Sequence, residues 1–120
     1  MIFITGGTGL VGSHILLKLS QRNISFKALK RGSSSLDVCK DVFTYYNAES
    51  QFNQIKWVNG DVNDIPSLEE GMKNCTKVIH AAAIVSFHND DEEIMYKINV
   101  EGTINIVNVA LSAGIEKLSY

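Results

Sequence analysis

Membrane-spanning runs and a basic excess are both missing from this sequence, and each absence excludes a class of protein. No apolar run among the 120 residues approaches the roughly 18 that a membrane-spanning helix needs, so we expect no contact with a membrane. The formal net charge is -2, which leaves no electrostatic basis for binding nucleic acid. The remaining composition, 45% hydrophobic with a single proline, is that of one globular domain.

Cysteine is equally scarce. Cys39 and Cys75 stand 36 positions apart with no CxxC pair, a pattern that indicates neither a metal site nor a disulfide scaffold. The N-terminus lacks the basic start and the long apolar segment of a secretory signal. These features together predict a cytoplasmic protein with reduced thiols and no metal.

Short apolar runs alternate with amphipathic segments along the chain. The predicted strands cover residues 1–5, 25–29, 54–61, 77–85 and 116–120. The predicted helices cover residues 10–22, 67–73 and 92–113, whereas residues 36–53 have only weak helical character. This alternation predicts an α/β fold, a doubly wound parallel sheet of about five strands with helices on both faces.

A glycine-rich stretch, "TGGTGLVG" at residues 5–12, lies between the first predicted strand and the first predicted helix. It satisfies both G-x-G-x-x-G and T-G-x-x-G-x-x-G. In this context the pattern is typical of the Rossmann dinucleotide-binding fold, because glycines let the backbone approach a pyrophosphate at a helix N-terminus. The candidate cofactor-binding residues of this glycine loop are Thr5, Gly6, Gly7, Thr8, Gly9, Leu10, Val11 and Gly12.

The glycine loop has two other interpretations, a turn that binds no ligand and a loop that binds the phosphates of a nucleoside triphosphate. A glycine-rich turn without a ligand remains open. A Walker phosphate-binding loop is excluded, because Ser13 and His14 follow Gly12 where that motif requires Lys and then Ser or Thr.

The end of the second predicted strand bears on which dinucleotide is bound. Lys30, Arg31, Ser33 and Ser34 stand where an NAD-binding protein would place an acid to hold the ribose hydroxyls, and Ser33 is the hydroxyl predicted as a site residue. Cations and hydroxyls suit a ribose 2′-phosphate, so the sequence predicts NADP, with NAD the less favoured cofactor. The alternative is that these are solvated loop residues.

Three further segments, together with the glycine loop, identify a family. They are "GDVND" at 60–64, "VIHAAAIVSF" at 78–87 and "INVEGTINIV" at 98–107. In this order they resemble the extended short-chain dehydrogenases/reductases, which include dihydroflavonol-reductase-like, 3β-hydroxysteroid-dehydrogenase-like and sugar-nucleotide epimerase or dehydratase enzymes. The resemblance covers essentially the whole chain.

The resemblance implies roles for particular residues. It implies that Asp61 and the backbone of Val62 contact the adenine, and that Ala81, Ala82 and Ala83 line the cofactor. It also implies that Asn99 helps to organise the active site. The alternatives stay open: a turn-forming aspartate, tight core packing of the alanines, and a purely structural asparagine.

Two residues around the fourth predicted strand have different expectations. His80 lies within the strand beside apolar Ile79, which favours a hydrogen-bonded core histidine over a catalyst. Ser86 follows that strand, and we expect a substrate contact there.

The family's catalytic Tyr-x-x-x-Lys is not found in these 120 residues. On the resemblance, residues 1–120 are the N-terminal part of a dinucleotide-binding domain, without the catalytic Tyr/Lys region and the substrate domain. The expected function is the NAD(P)-binding segment of an oxidoreductase or epimerase/dehydratase-like enzyme that transfers hydride at an alcohol or ketone carbon. The alternative is a non-catalytic dinucleotide-binding sensor or scaffold module. A small-molecule substrate is expected only in the full-length protein, and homo-oligomers could form through an exposed sheet edge or helices.

Overall fold

A single parallel sheet organises the protein, whose computed structural model describes residues 1–82 and 89–120. Its strands are β1 (Ile2–Thr5), β2 (Phe26–Lys30), β3 (Trp57–Asn59), β4 (Lys77–His80) and β5 (Lys117–Ser119). Their order across the sheet is β3-β2-β1-β4-β5, and every neighbouring pair is parallel. The chain therefore builds one half of the sheet outward from β1 and then crosses to build the other half. The predicted doubly wound fold is confirmed.

Helices connect the strands. They are α1 (Leu10–Gln21), α2 (Asp37–Tyr45), α3 (Glu49–Phe52), α4 (Ile65–Met72), α5 (Glu92–Tyr96) and α6 (Gly102–Ser112). A 3₁₀ turn, Asn89–Asp91, precedes α5, and a π-helical turn, Lys97–Glu101, joins α5 to α6. No helix in the described ranges is long and apolar enough to cross a membrane.

The sheet is buried on both faces because successive side chains of a strand point to opposite sides. Within β1, Phe3 packs into a core with α4 and α6, whereas Ile4 packs into a second core with α1 and α2. Both side chains are fully buried. This double burial explains why the first strand is an unbroken apolar run.

Residues 36–53 were ambiguous in sequence and form two helices in the structure. In α2, Cys39, Val42 and Phe43 are buried, a spacing that places all three on one helical face. Neither α2 nor α3 has a side-chain hydrogen bond at its N-cap. Packing of this apolar face against the α1 side of the sheet therefore accounts for a helix that local signals mark weakly.

Two strands are shorter than predicted. The third was expected over residues 54–61 and the fourth over 77–85, but β3 covers 57–59 and β4 covers 77–80, with Ala81 and Ala82 after its end; residues 83–85 lie outside the described residues. One hydrogen bond continues beyond each strand, from Gly60 N to the Lys30 carbonyl and from Ala81 N to the Thr5 carbonyl. The chain leaves the sheet at these points, and the residues that follow are free to line a cleft.

Candidate functional site

A cleft opens at the carboxyl ends of the strands, where the chain direction across the sheet reverses between β1 and β4. In an open α/β sheet this switch point is where ligands bind, because the two flanking loops diverge there. We call it the strand-end cleft. It is lined by Thr5, Gly6, Thr8, Gly9, Leu29, Lys30, Arg31, Ser34, Gly60, Asp61, Val62, Ala81, Ala82 and Ile98.

Two glycines shape the floor of the strand-end cleft. Gly6 has φ of +81°, a conformation that side chains disfavour, and a Cβ there would overlap the backbone of Ala81. A Cβ at Gly12 would overlap the carbonyl oxygen of Gly6. Side chains at either position would therefore push the glycine loop away from β4 or from α1. The loop can follow this path only with glycine at both places.

The N-terminus of α1 faces the same loop. Gly9 is the N-cap, and its carbonyl accepts a 2.8 Å hydrogen bond from the amide of Ser13. The first turn contains no acidic residue, so the positive end of the helix dipole is not neutralised there. The side chains of Leu10 and Val11 are exposed, which leaves the backbone amides of the first turn as the groups that can hold an anion.

A second hydrogen bond ties the glycine loop to its helix. The hydroxyl of Ser13, fully buried, donates to the carbonyl of Gly7 over 3.1 Å. Cys39 from α2 lies beside Ser13, and burial raises the pKa of its thiol, an effect that a hydrogen bond with Ser13 partly offsets. The thiol is therefore protonated and packs as part of the core. Cys39 and Cys75 are both free and buried.

Asp61 stands in a tight turn, residues 60–64, which we call the Asp61 turn. Its Oδ1 accepts a 2.9 Å hydrogen bond from the amide of Asn63, and its own amide donates to the hydroxyl of Ser67 over 3.1 Å. Asp61 is half-buried and lines the strand-end cleft. Because only one carboxylate oxygen is tied to the turn, the other can accept a hydrogen bond from a bound molecule.

A basic group lies at one end of the strand-end cleft. Lys30 is the last residue of β2, Arg31 follows it, and Ser34 also lines the cleft. Of the two predicted hydroxyls, that of Ser34 lines the cleft, whereas Ser33 is exposed and does not. Asp61 is the one acid among the described lining residues, and it follows Gly60, whose amide donates to the Lys30 carbonyl over 2.9 Å.

His80 joins three elements beneath the strand-end cleft. Its Nδ1 is 2.6 Å from the hydroxyl oxygen of Thr5, and its Nε2 is 2.9 Å from that of Thr103 on α6. The Thr5 oxygen also accepts from the amide of Ala82 over 3.3 Å, and the Thr103 hydroxyl donates to the carbonyl of Asn99 over 2.7 Å. Burial lowers the pKa of His80. The predicted hydrogen-bonded core histidine is confirmed.

The predicted site residues divide into groups. Thr5, Gly6, Thr8, Gly9, Lys30, Arg31, Asp61, Val62, Ala81 and Ala82 line the strand-end cleft. Gly7 and Gly12 are buried behind it, and Leu10 and Val11 begin α1. Asn99 stands in the π-helical turn and is not among the lining residues, although its neighbour Ile98 is. Ala83 and Ser86 lie outside the described residues.

Three lining residues were not predicted from the sequence: Leu29, Gly60 and Ile98. Leu29 and Gly60 each directly precede a predicted site residue, so the positions of the strand ends could have indicated them. No partner for His14 was predicted from the sequence either. The structure shows Nδ1 of His14 2.8 Å from the Leu10 carbonyl, with its ring edge-on to Tyr46 at 6.0 Å between centroids.

A metal site would need several ligating side chains close together. Within the described parts of the chain, no three side chains of His, Cys, Asp or Glu converge. The chemistry available in the strand-end cleft is therefore that of backbone amides, hydroxyls, two cations and one carboxylate. Such groups recognise a phosphorylated, ribose-bearing molecule.

Comparisons of sequence match this chain to known proteins. The model of the 3-beta hydroxysteroid dehydrogenase/isomerase family matches residues 3–120. A Synechocystis protein named "Putative dihydroflavonol 4-reductase" is 37% identical over 118 residues, 98% of this chain. A Methanocaldococcus jannaschii protein named "Putative UDP-glucose 4-epimerase" is 34% identical over 124 residues, 100% of this chain. The chain spans only 31% and 37% of these two curated relatives.

Solved structures agree with the sequence comparisons. The enzyme WbmG from Bordetella bronchiseptica, solved in complex with NAD and UDP, matches with a TM-score of 0.74 at 26% identity. The match covers 98% of this chain and 35% of that one. The matched region thus makes up about a third of the WbmG chain.

Proposed function

Because the chain belongs to the 3-beta hydroxysteroid dehydrogenase/isomerase family, among the extended short-chain dehydrogenases/reductases that its motifs predicted, we propose that the strand-end cleft binds a nicotinamide adenine dinucleotide. The main support is the close backbone packing at Gly6 and Gly12, which we call the glycine cradle. Gly6 and Gly12 bring backbone amides and the uncompensated N-terminus of α1 to one point, where a pyrophosphate would sit. A turn without a ligand has no need of this close approach.

The other parts of the cofactor have matching groups along the strand-end cleft. Asp61, with one oxygen held by the turn, would accept a hydrogen bond from the adenine amino group, beside the backbone of Val62. Lys30, Arg31 and Ser34 would face the adenosine ribose. Ala81 and Ala82 leave space for the rest of the molecule, whose nicotinamide ring exchanges hydride with an alcohol or ketone when the cofactor is bound.

We propose that NADP is preferred to NAD. Two cations and a hydroxyl beside the ribose favour a 2′-phosphate, and the one acid of the described cleft, Asp61, is assigned to the adenine and not to a free 2′-hydroxyl. Titration of the protein with NADPH and NADH, followed by nicotinamide fluorescence or calorimetry, tests this. We expect the lower Kd for NADPH. Tighter binding of NADH, the choice suggested by the NAD held in WbmG, would reverse the preference, and binding of neither would reject the proposed site.

For the whole protein we propose an oxidoreductase or an epimerase/dehydratase-like enzyme, with Asn99 supporting the active site and Ser86 near the substrate. The 120 residues contain no Tyr-x-x-x-Lys, so they would be inactive alone.

The alternative is a sensor or scaffold that binds a dinucleotide without catalysis. The coding sequence beyond residue 120 distinguishes them: a downstream Tyr-x-x-x-Lys supports the enzyme, and a stop codon supports the module. The free thiols fit a cytoplasmic setting in either case.

A further inference from the structure

The Asp61 turn is held from two sides by different helices. On the α4 side, the hydroxyl of Ser67 accepts from the amide of Asp61 and donates to the carbonyl of Asp64 over 2.7 Å. The other helix, α6, contacts Val62 at two points. The position of the Asp61 carboxylate, which would bind a ligand group, therefore depends on the contacts of the turn with both helices.

The contacts with α6 are a close approach and a hydrogen bond. A Cβ at Gly102 would come within 2.7 Å of Val62 Cγ2, so the absence of a side chain lets Val62 pack directly on the helix. One turn later on the same face, the side-chain amide of Asn105 donates to the carbonyl of Val62 over 3.0 Å. Val62 itself is buried.

The carbonyl of Val62 belongs to the same peptide unit as the amide of Asn63. That amide donates to Oδ1 of Asp61 over 2.9 Å. Because a peptide unit is planar, a hydrogen bond that fixes its carbonyl also fixes the direction of its N–H. Asn105 thus orients the N–H that holds the Asp61 carboxylate, although Asn105 does not line the strand-end cleft.

We propose that Asn105 is a positioning residue for adenine recognition: through the Val62–Asn63 peptide it holds Asp61 with one carboxylate oxygen turned toward the base. This inference rests on the proposed dinucleotide site. It assigns specificity for the base to a residue on α6, about two turns beyond the predicted Asn99.

The base itself gives the sharpest test. Nicotinamide hypoxanthine dinucleotide replaces the adenine amino group with an oxygen, which a carboxylate repels. We expect wild-type protein to bind the reduced adenine dinucleotide at least about tenfold more tightly than the hypoxanthine one, since hydrogen bonds to charged groups contribute this much. In Asn105→Ala the preference should fall to within about threefold. Asn108→Ala, the same change at an exposed position on the same helix, should keep it.

The outcomes separate the inference from the function on which it rests. If wild-type protein binds neither dinucleotide, both the proposed site and the role of Asn105 are rejected. If wild-type protein binds both equally, the contact of Asp61 with the adenine amino group and the role of Asn105 are rejected, while the dinucleotide site stands. If Asn105→Ala keeps the full preference, only the role of Asn105 is rejected. A purely structural role would weaken both dinucleotides by the same factor and leave their ratio unchanged.

A measurement on unmutated protein covers the case in which Asn105→Ala does not fold. In ¹⁵N-labelled wild-type protein, addition of adenosine diphosphate ribose should shift the side-chain amide resonances of Asn105 and the backbone amide of Asn63. The side-chain resonances of Asn108 should stay in place. Binding without a shift at Asn105 and Asn63 would overturn the proposal.

Discussion

The hydroxyl of Thr5 donates to Nδ1 of His80 over 2.6 Å, and this bond joins the ends of β1 and β4 at the switch point of the sheet. That Thr5 is the donor in this hydrogen bond follows from the other hydrogen bonds of His80 and Thr103. Because the Thr103 hydroxyl donates to the Asn99 carbonyl, it accepts from Nε2–H of His80, and Nδ1 is left as an acceptor. With a neutral imidazole that carries its proton on Nε2, each of these hydrogen bonds has one donor and one acceptor, and the Thr5 hydroxyl hydrogen is used.

The first prediction concerns the pH dependence of stability. Burial lowers the pKa of His80 in the folded protein below the ordinary value of about 6.5. Below that pH the unfolded chain takes up a proton that the folded chain does not. The unfolded state then binds more protons, so the free energy of unfolding falls as pH falls, until the folded pKa is reached. Urea unfolding between pH 8 and pH 5 should show this decline.

Two variants assign that decline to one imidazole. His80→Gln should make the slope between pH 6.5 and pH 5 shallower while lowering stability at pH 8, because a hydrogen-bond network is broken. His14→Gln, at an exposed position on α1, should leave the slope as in wild-type protein. A slope that is unchanged in His80→Gln would show that other groups cause it.

The second prediction concerns the glycine cradle. Gly12→Ala places a methyl group on the carbonyl of Gly6, so the glycine loop must move. We expect a loss of about 1–3 kcal/mol in the free energy of unfolding, typical of overpacking, and at least a hundredfold rise in the Kd for NADPH. Gly32→Ala is the matched control, since a Cβ there has no atom within 4 Å among the described residues. Equal effects of the two substitutions would contradict the role of the cradle.

A third prediction concerns Lys27, a charged residue that is only 8% exposed. Its Nζ donates to the carbonyl of Lys73 over 2.7 Å, at the C-terminal end of α4. Lys27→Met keeps most of the volume but leaves that carbonyl without the donor. We expect a loss of about 1–3 kcal/mol in the free energy of unfolding, measured by urea denaturation.

The control for Lys27 is another lysine at the same helix end. The side chain of Lys73 forms a 2.8 Å ion pair with Glu70, but both side chains are about two-thirds exposed. Solvent screens such a pair, so Lys73→Met should leave stability within experimental error of wild type. A larger effect of Lys73→Met than of Lys27→Met would refute the assignment.

Local signals were enough to predict most of the fold. Alternation of short apolar runs with amphipathic segments depends on neighbouring residues, and it placed all five strands of the parallel sheet within the chain. The glycine loop was also predictable, because Gly6 and Gly12 satisfy a spacing that one strand-turn-helix unit requires. The polar residues at strand ends followed, since parallel strands bring those ends to a single edge.

What the sequence did not reveal depends on residues that are distant in the chain. The pairing of Asn105 with Val62 bridges 43 positions, and that of Lys27 with Lys73 bridges 46. Nothing in the sequence around Lys27 marks it as buried, and α2 takes its stability from tertiary packing of an apolar face. The sequence could not distinguish Ser34, which lines the cleft, from Ser33, which does not, because the direction of a side chain in a turn depends on the backbone path.

The last prediction concerns the choice between the two dinucleotides. Arg31 directly follows β2 and lines the strand-end cleft where the ribose is proposed to bind. Arg31→Asp replaces its cation with the carboxylate that NAD-binding proteins use for the ribose hydroxyls. The Kd for NADPH should rise about ten- to hundredfold, because a phosphate loses a partner and gains a like charge. The Kd for NADH should stay the same or fall.

Lys56→Asp is the control for this prediction, because it changes the net charge equally. Lys56 lies before β3, at the opposite end of the sheet, so its substitution should leave the ratio of the two Kd values unaltered. Since exposed charges are screened, the difference between wild type and Arg31→Asp should shrink as salt is raised from 50 to 500 mM. An equal loss of affinity for both dinucleotides would mean that Arg31 supports the loop instead of reading the 2′-phosphate.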